Sequence, residues 1–315
     1  MIRAGFFALA LLPMSAQAAT IVVCPEKATA RDCTFKGDRA IQAAVDQAKD
    51  DDIVLIRAGT YHPRAYPDLP SREIVIRAFV AIEGKRITLK GEPGAILDGS
   101  IGLPVTGIGV KNADVTIDGL DLTGFRYDIK EDDLYEGHGI FAFDSRVRIA
   151  DVTIRQFQKM GLTGRGNTML DVTGLSVLDG HVGSWLYEGA YMRLDGAVFR
   201  NNESAALAAY NDSAAHLSHI AVDRSVDDAI YAEDDATIHL TRSLVIDSKP
   251  IALNATGRSR IIASHLVLHG NAADTSATGV TLGEGIVRDD PRVDAGYRPL
   301  AGSPIAGKNI GPAER

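Results

Sequence analysis

Residues 152–154 read Val-Thr-Ile, and the same pattern returns at 175–177 (Leu-Ser-Val), 197–199 (Ala-Val-Phe), 220–222 (Ile-Ala-Val), 243–245 (Ser-Leu-Val) and 266–268 (Leu-Val-Leu). Successive copies are 22 or 23 residues apart, a period typical of stacked structural repeats. The first and third residues of each triplet lie on the same face of a strand. Short strands cannot bury a core alone, so the pattern predicts a solenoid whose stacked coils share one apolar interior.

A second ladder keeps a similar period and predicts another inward row, which includes Trp185 as a core residue. Its members are Ile140, Leu162, Trp185, Leu207, Ile230 and Leu253. Functional residues must then lie on outward rows, where adjacent coils bring residues that are distant in sequence within about 5 Å.

The N-terminus predicts export. Residues 1–19 combine a basic residue at Arg3, a short apolar run and an Ala16-Gln17-Ala18 cleavage pattern, which is typical of a signal peptide. No later stretch reaches membrane-span length, so we expect an exported protein, periplasmic or extracellular, with no membrane span. Cys24 and Cys33 are the only two cysteines, and in an exported chain such a pair predicts a disulfide.

A short amphipathic helix is predicted over Asp38–Lys49, with Ile41, Ala44 and Val45 on one face. The motif Ile41-Gln42-Ala43-Ala44-Val45-Asp46, followed by Asp52-Ile53-Val54-Leu55-Ile56 and Gly59-Thr60-Tyr61, resembles the N-terminal signature of pectate-lyase-like right-handed parallel β-helix proteins. In that superfamily the helix caps the stack. The resemblance implies an all-β fold, a single-stranded right-handed parallel β-helix of about ten coils with an N-terminal capping helix.

Four segments are predicted. Residues 1–19 are the signal peptide, 20–62 the N-terminal cap with the disulfide loop, helix and first strand, 63–285 the β-helix and 286–315 an extended tail. An acidic loop with Tyr127 and Tyr135 interrupts the period between two coils. This insertion could border a cleft or simply be solvated.

The net charge of −8, with scattered Lys and Arg, does not favour nucleic acid as a partner. A polysaccharide is the partner that a long outward strip fits, because a sugar chain repeats at about the length of one coil. We expect a monomer.

One outward row is predicted to carry the chemistry, and the catalytic candidates are Arg165, Glu188, Tyr210 and Glu233. Glu188 and Glu233, two coils apart, suit an inverting hydrolase. Arg165 could instead neutralise a uronate carboxylate while a Lys, His or Tyr side chain, such as Tyr210, abstracts the C5 proton in a lyase or epimerase. Ordinary surface ion pairs are the alternative for the whole row.

Neighbouring outward positions supply the candidates for substrate binding, which are His138, His181, Glu203, Tyr231 and Lys249. No metal site is assigned, although Asp227, Asp228 and Glu233 are carboxylates of the kind that calcium takes as ligands. Gly137-His138-Gly139-Ile140 and Asp227-Asp228 look like the His and paired-Asp motifs of polygalacturonase-type hydrolases. Here the Asp pair follows the His by four coils, so the two should not share a cleft.

Two classes of function remain open. The first is an exported enzyme that acts on an acidic polysaccharide by β-elimination, epimerisation or hydrolysis. The second is a non-catalytic carbohydrate-binding or cell-envelope solenoid with a shallow strip of aromatic side chains, formed by Phe141, Phe143, Tyr210 and Tyr231. One fold hosts both, so the site must decide between them.

Overall fold

The computed structural model describes residues 18–128 and 134–312. The predicted signal peptide lies outside these residues up to position 17, and so does the middle of the acidic loop. Within the described ranges, no helix is long and apolar enough to cross a membrane.

One helix and 25 strands make up the described chain. The N-terminal elements are β1 (Thr20–Cys24), β2 (Phe35–Lys36), α1 (Ala40–Gln47), β3 (Ile53–Ile56), β4 (Gly59–Tyr61), β5 (Asp68–Ser71), β6 (Ile74–Glu83), β7 (Arg86–Gly91) and β8 (Ala95–Asp98). The middle elements are β9 (Thr106–Lys111), β10 (Asp114–Asp118), β11 (Asp121–Thr123), β12 (Leu134–Tyr135), β13 (Ile140–Phe143), β14 (Arg146–Arg155), β15 (Met160–Arg165), β16 (Met169–Leu178) and β17 (Val182–Tyr187). The last are β18 (Tyr191–Arg200), β19 (Leu207–Ala209), β20 (Ala214–Asp223), β21 (Ile230–Ala232), β22 (Thr237–Ile246), β23 (Leu253–Ala255), β24 (Arg260–His269) and β25 (Val280–Leu282).

The strands form two long sheets, and most coils contribute to both. Sheet 1 runs β2-β1-β3-β7-β10-β14-β16-β18-β20-β22-β24-β25, and sheet 2 runs β12-β6-β9-β13-β15-β17-β19-β21-β23. Among the strands of the described ranges, all pairings are parallel except that of β5 with β6. This is the predicted right-handed parallel β-helix.

Each ten-residue strand of sheet 1 bends in the middle, so one coil has three straight faces. The bend falls at a residue with positive φ, and these residues follow the coil period: Asp151, Gly174, Gly196, His219, Arg242 and His265. The left-handed conformation turns the chain without ending the hydrogen-bonded ladder on either side.

The triplets that predicted the fold are in the expected register. Val152 pairs with Leu175, Leu175 with Ala197, and Ile154 with Val177, all of them buried. Stacked in this way, the rows fill a continuous core.

The second ladder was wrong at one coil. Ser184, and not Trp185, pairs with Leu162 and Leu207 on the inward row. Trp185 instead points outward and is half-buried. The step from Leu162 to the inward residue of this coil, Ser184, is 22 residues. Trp185, a large apolar residue one place later, was therefore predicted to be the inward residue.

Small residues form a row at the corner where the chain enters sheet 2. The row contains Gly107, Gly139, Gly161, Gly183, Ala206, Ala229 and Ala252. A Cβ on Gly183 would lie 2.3 Å from the carbonyl oxygen of Ala206 and 2.7 Å from Cδ1 of Phe199. Only small side chains therefore let successive coils approach here.

The N-terminal cap contains the predicted disulfide, which joins Cys24 to Cys33. Helix α1 is two residues shorter at each end than predicted and buries Ile41, Ala44 and Val45. Asp38 does not cap it. Its carboxylate accepts hydrogen bonds from the backbone N–H of His62 and from Arg64.

The C-terminal segment covers the outer side of sheet 1. Tyr297, Ile305 and Ile310 pack on outward residues of the last long strands, such as Leu244. The Tyr297 hydroxyl donates a 2.8 Å hydrogen bond to the buried Asp223. The contacts of this segment therefore lie on sheet 1 and leave the outer face of sheet 2 to other residues.

Gly183→Ala should destabilise the protein by at least ~2 kcal/mol, because the new methyl group meets the backbone of the next coil. Gly296→Ala is the matched control, since its nearest neighbour would be Asp294 at an ordinary 3.4 Å. Urea unfolding of both variants measures the effect. Equal stability of the two would contradict the corner constraint.

Candidate functional site

The outer face of sheet 2 carries two rows of side chains once the register is corrected. One row is Phe141, Thr163, Trp185, Ala208, Tyr231 and Asn254, with members that pair directly from strand to strand. The second begins with Phe143, Arg165 and Tyr187 and continues in line with Tyr210 and Glu233.

A groove of about 900 Å³ follows these rows. Its floor is aromatic and its sides carry carboxylates. The lining includes Glu73, Ile74, Tyr135, Met160, Arg165, Trp185, Tyr187, Tyr210, Asp227, Asp228, Tyr231, Glu233 and Asn254. Of the four predicted catalytic residues, Arg165, Tyr210 and Glu233 lie in this groove and Glu188 does not.

Four aromatic rings lie next to one another on the floor. Trp185 stacks on Tyr187 with ring centres 5.3 Å apart and an angle of 21° between the planes. Tyr187 meets Tyr210 at 6.3 Å, and Tyr210 meets Tyr231 at 5.7 Å. Such a surface offers flat apolar faces with polar tips, which suits the mixed apolar and hydroxyl faces of sugars. The predicted strip placed Phe141 and Phe143 in this role, but both are buried.

Arg165 is fixed by two carboxylates. Its Nε and Nη2 donate to the two oxygens of Glu188 at 3.1 and 2.8 Å, and Nη2 also donates to Glu73. The Glu188 carboxylate holds the pKa of Arg165 above its ordinary value, with Glu73 adding to the effect against the cost of burial. Glu188, predicted as the catalytic partner of Glu233, is the partner of Arg165, also binds Arg72 and does not line the groove.

Tyr210 and Tyr231 stay protonated at neutral pH. Burial raises the pKa of Tyr210 to about 12, and burial also raises the pKa of Tyr231. The Tyr231 hydroxyl donates to Glu233 at 2.9 Å and lies 3.3 Å from Thr256. The predicted use of Tyr210 as a base is therefore disfavoured, while Tyr231 orients the Glu233 carboxylate.

Asp228 is a functional candidate that was not among the predicted catalytic residues, although it was considered as a calcium ligand and as part of a paired-Asp motif. Burial raises the pKa of its carboxyl group, and the adjacent Asp227 raises it further, whereas a hydrogen bond from Asn254 lowers it. The Asn254 amide donates to Oδ2 of Asp228 at 2.5 Å. A half-buried, oriented carboxyl group in a cleft is suited to give or take a proton. In the sequence, the signal for a functional role of Asp228 was its position just before the small residue Ala229 and close to the outward Tyr231.

The expected calcium ligands are not gathered into a metal site. Across residues 18–128 and 134–312, no three or more His, Cys, Asp or Glu side chains are arranged to hold a metal ion. Asp227 accepts a hydrogen bond from the backbone N–H of Asp228, and Glu233 accepts one from Tyr231.

A smaller pocket of about 650 Å³ adjoins the groove at Tyr135, Met160 and Trp185. The predicted binding residues His138, His181 and Glu203 line it, together with Lys159. Tyr231 belongs to the groove. Lys249 is exposed on the turn row and lines neither cavity.

His138 is buried under the ring of Tyr135, with which it stacks at 5.9 Å. Its Nδ1 lies 3.1 Å from the Thr163 hydroxyl. Burial lowers the pKa of His138 to about 3, so the ring is neutral. Asp228 lines the groove and His138 lines the adjoining pocket. The separation of their two sequence motifs by four coils predicted that they would not share a cleft.

Comparison with known proteins supports the fold. The crystal structure of pectate lyase Pel9A superposes with a TM-score of 0.62 at 10% identity, covering 87% of this chain and 78% of that one. The chain has the pectate-lyase-like right-handed parallel β-helix fold. No protein-family model matches the sequence, and neither does any curated protein.

Two further structures are less similar. Geobacillus virus E2 ORF18 gives a TM-score of 0.47 at 12% identity, with 78% of this chain and 56% of that chain covered. A doubly substituted pectate lyase from Xanthomonas campestris gives 0.45 at 13% identity, with 84% and 81% covered. At these scores neither supports a structural argument.

His138 should make the protein less stable in acid. The unfolded ring takes up a proton below about pH 6.5, whereas the folded ring stays neutral down to about pH 3. Between pH 7.5 and 4.5 the wild type should therefore lose on the order of 2 kcal/mol more stability than His138→Gln. Urea unfolding at both pH values measures this difference.

His181→Gln is the control, because His181 is half exposed at the rim of the same pocket. It should follow the wild type. An identical pH dependence in all three proteins would show that His138 is not buried in its neutral form.

Proposed function

We propose that this protein is an exported glycoside hydrolase that binds a polysaccharide along the groove of sheet 2. The observation that carries the proposal is that one groove with an aromatic floor holds both Asp228, whose carboxyl pKa is raised, and the oriented carboxylate of Glu233. The resemblance in fold to a pectate lyase supports a polysaccharide as the substrate.

Hydrolysis fits the groove better than β-elimination or epimerisation. Those reactions require a base for a sugar ring proton and a cation that is available to the uronate carboxylate. Tyr210, with a pKa of about 12, is a poor base at neutral pH. Arg165 already binds two carboxylates.

Each carboxyl group has a distinct role in the proposed reaction. Protonated Asp228 donates its proton to the glycosidic oxygen as the bond from that oxygen to the anomeric carbon breaks. Glu233 accepts a proton from the water that attacks the anomeric carbon. The hydrogen bond from Tyr231 orients the Glu233 carboxylate, and the hydrogen bond from Asn254 keeps Asp228 in place. Regeneration requires only return of one proton from Glu233 to Asp228 through solvent.

The charge of the groove bears on the substrate. Glu73, Asp227, Asp228 and Glu233 line it, and among the described lining residues Arg165 is the one lysine or arginine that faces them. Like charges disfavour a dense polyanion at the Asp227 end. A test panel therefore contains neutral xylan and galactan beside polygalacturonate and alginate, with reducing ends counted and absorbance near 235 nm followed for unsaturated products.

Asp228→Asn should lower kcat/KM for the hydrolysed polymer by ~10²–10⁴-fold, because the amide cannot donate the proton. In the wild type, kcat/KM should fall as pH rises through the pKa of Asp228, which lies above the ordinary aspartate value. The pH profile of kcat/KM measures both effects.

Asp227→Asn is the matched control. It keeps the acid but removes the adjacent charge that raises the pKa of Asp228, so the alkaline limb should move to lower pH. Near wild-type activity of Asp228→Asn would exclude the proposed acid. A rise in absorbance near 235 nm would show that the protein acts by β-elimination and not by hydrolysis. Binding of a polymer without any reaction would favour the non-catalytic solenoid.

A further inference from the structure

A hairpin lies across the outer face of sheet 2 at the first coils. It consists of β5 and the start of β6, residues 68–77, and is called the arm below. The arm packs flat on the sheet, since a Cβ on Gly109 of β9 would lie 3.0 Å from Leu69 and 3.2 Å from Ile76. Phe141 and Phe143 are buried beneath it.

The tip of the arm is anchored in the next coils. Glu73 binds Arg165, and Arg72 binds Glu188 at 3.1 Å while its guanidinium lies 5.2 Å from the centre of the Phe143 ring. Behind the tip, Lys111 donates to the carbonyl oxygen of Pro70. Contacts on both sides hold the arm against the sheet.

Tyr135 widens this obstacle. Strand β12 pairs with β6 through Tyr135 and Ile76, so it adds a strand to the arm. The Arg165 guanidinium lies 3.5 Å from the Tyr135 hydroxyl. Glu73, Ile74 and Tyr135 are accordingly the lining residues at the first end of the groove.

The other end of the groove has no comparable barrier among the described residues that line it. The lining reaches Asn254 in β23, the last short strand of sheet 2. Tyr297, Ile305 and Ile310 of the C-terminal segment pack on sheet 1. The pocket at His181 adjoins the groove at Tyr135, Met160 and Trp185, and neither Glu73 nor Ile74 of the arm is among its lining residues.

We propose that the groove receives the end of a polysaccharide chain, so that the protein removes short oligosaccharides from chain ends. This inference rests on the proposed hydrolase function. An internal segment of the polysaccharide would have to pass through the arm at Glu73 and Ile74 or through the adjacent Tyr135. A chain end can stop there.

The distance from the arm to Asp228, the proposed acid, sets the length of the oligosaccharide that is released. From Arg165 in β15, the ladder passes β17 and β19 to reach β21 beside Asp228 and Glu233, a rise of three coils or about 14 Å. One sugar unit spans about one coil spacing. The expected product is therefore a disaccharide or trisaccharide.

Product analysis tests this directly. On the polymer of the panel that is hydrolysed, the wild type should release disaccharide or trisaccharide from the first minutes, while viscosity falls slowly relative to new reducing ends. A ladder of long intermediates with a rapid fall in viscosity would overturn the inference and leave the hydrolase function intact.

Loosening the tip should change this pattern. Arg72→Ser with Glu73→Ser removes both ion pairs of the tip, and longer products should then appear. Asp235→Ser with Arg258→Ser is the control, because it removes an ion pair from a turn that does not line the groove. An unchanged product pattern in the tip variant would overturn the role of the arm as the stop for the chain end.

Trp185 is the only tryptophan in the chain and lines the groove, so its fluorescence reports binding without catalysis. The Asp228→Asn variant is titrated with each panel polymer and with the same mass of its oligosaccharides. Chains that are ten times shorter have ten times as many ends per unit mass. If chain ends bind, the mass of polysaccharide at half saturation should therefore fall about tenfold.

Half saturation at equal mass, whatever the chain length, would show that internal segments bind and would overturn the inference alone. No change of fluorescence with any of the four polymers or their oligosaccharides would contradict the proposed function and the inference together.

Discussion

The close approach of successive coils at the corner before sheet 2 is the constraint on which the rest of the structure depends. At Gly139, Gly161 and Gly183, a Cβ would lie within 2.6 Å of the carbonyl oxygen of the next coil. The later coils use alanine at this position, as in Ala206 and Ala229. Because the corner permits only small side chains, it fixes where each short strand begins and hence which residues point outward. The aromatic floor and the two carboxyl groups of the groove follow from that register.

The outer faces of the two sheets carry different coverings, and this difference explains where the site lies. The C-terminal segment covers part of sheet 1 through Tyr297 and Ile305, and the arm covers the first coils of sheet 2. The remaining outer face of sheet 2 keeps large aromatic side chains beside carboxyl groups. On the surface of a solenoid, outward Trp and Tyr side chains in contact with one another are unusual unless something binds them. One of these tyrosines also contributes its hydroxyl group, since Tyr231 donates a hydrogen bond that orients Glu233.

Most of the fold could be predicted from the sequence, because the triplet period reports directly on burial. The site was predicted less well, and the reason is one coil. Taking Trp185 for a core residue placed Glu188 in line with Arg165 and Tyr210, whereas Tyr187 occupies that place. The small-residue row would have corrected this, since Gly183 precedes Ser184 as Gly161 precedes Leu162. The arm was not predictable by the same means, because its contacts join residues such as Glu73 and Arg165 outside the coil period.

Asp228 shows how the solenoid produces chemistry from ordinary residues. A carboxyl group on the surface of a turn, in full contact with water, keeps its ordinary tendency to ionise. Here the next coil supplies Asn254 to orient it, the wall of the groove removes solvent, and Asp227 adds a like charge. Burial and the neighbouring charge both favour the protonated form, while the amide fixes its direction. Glu233, on the same coil, accepts a hydrogen bond from the Tyr231 hydroxyl, which orients its carboxylate. One coil thus places a carboxyl group with a raised pKa and an oriented carboxylate in the same groove, and the proposed acid and base need such an arrangement to act on one bond.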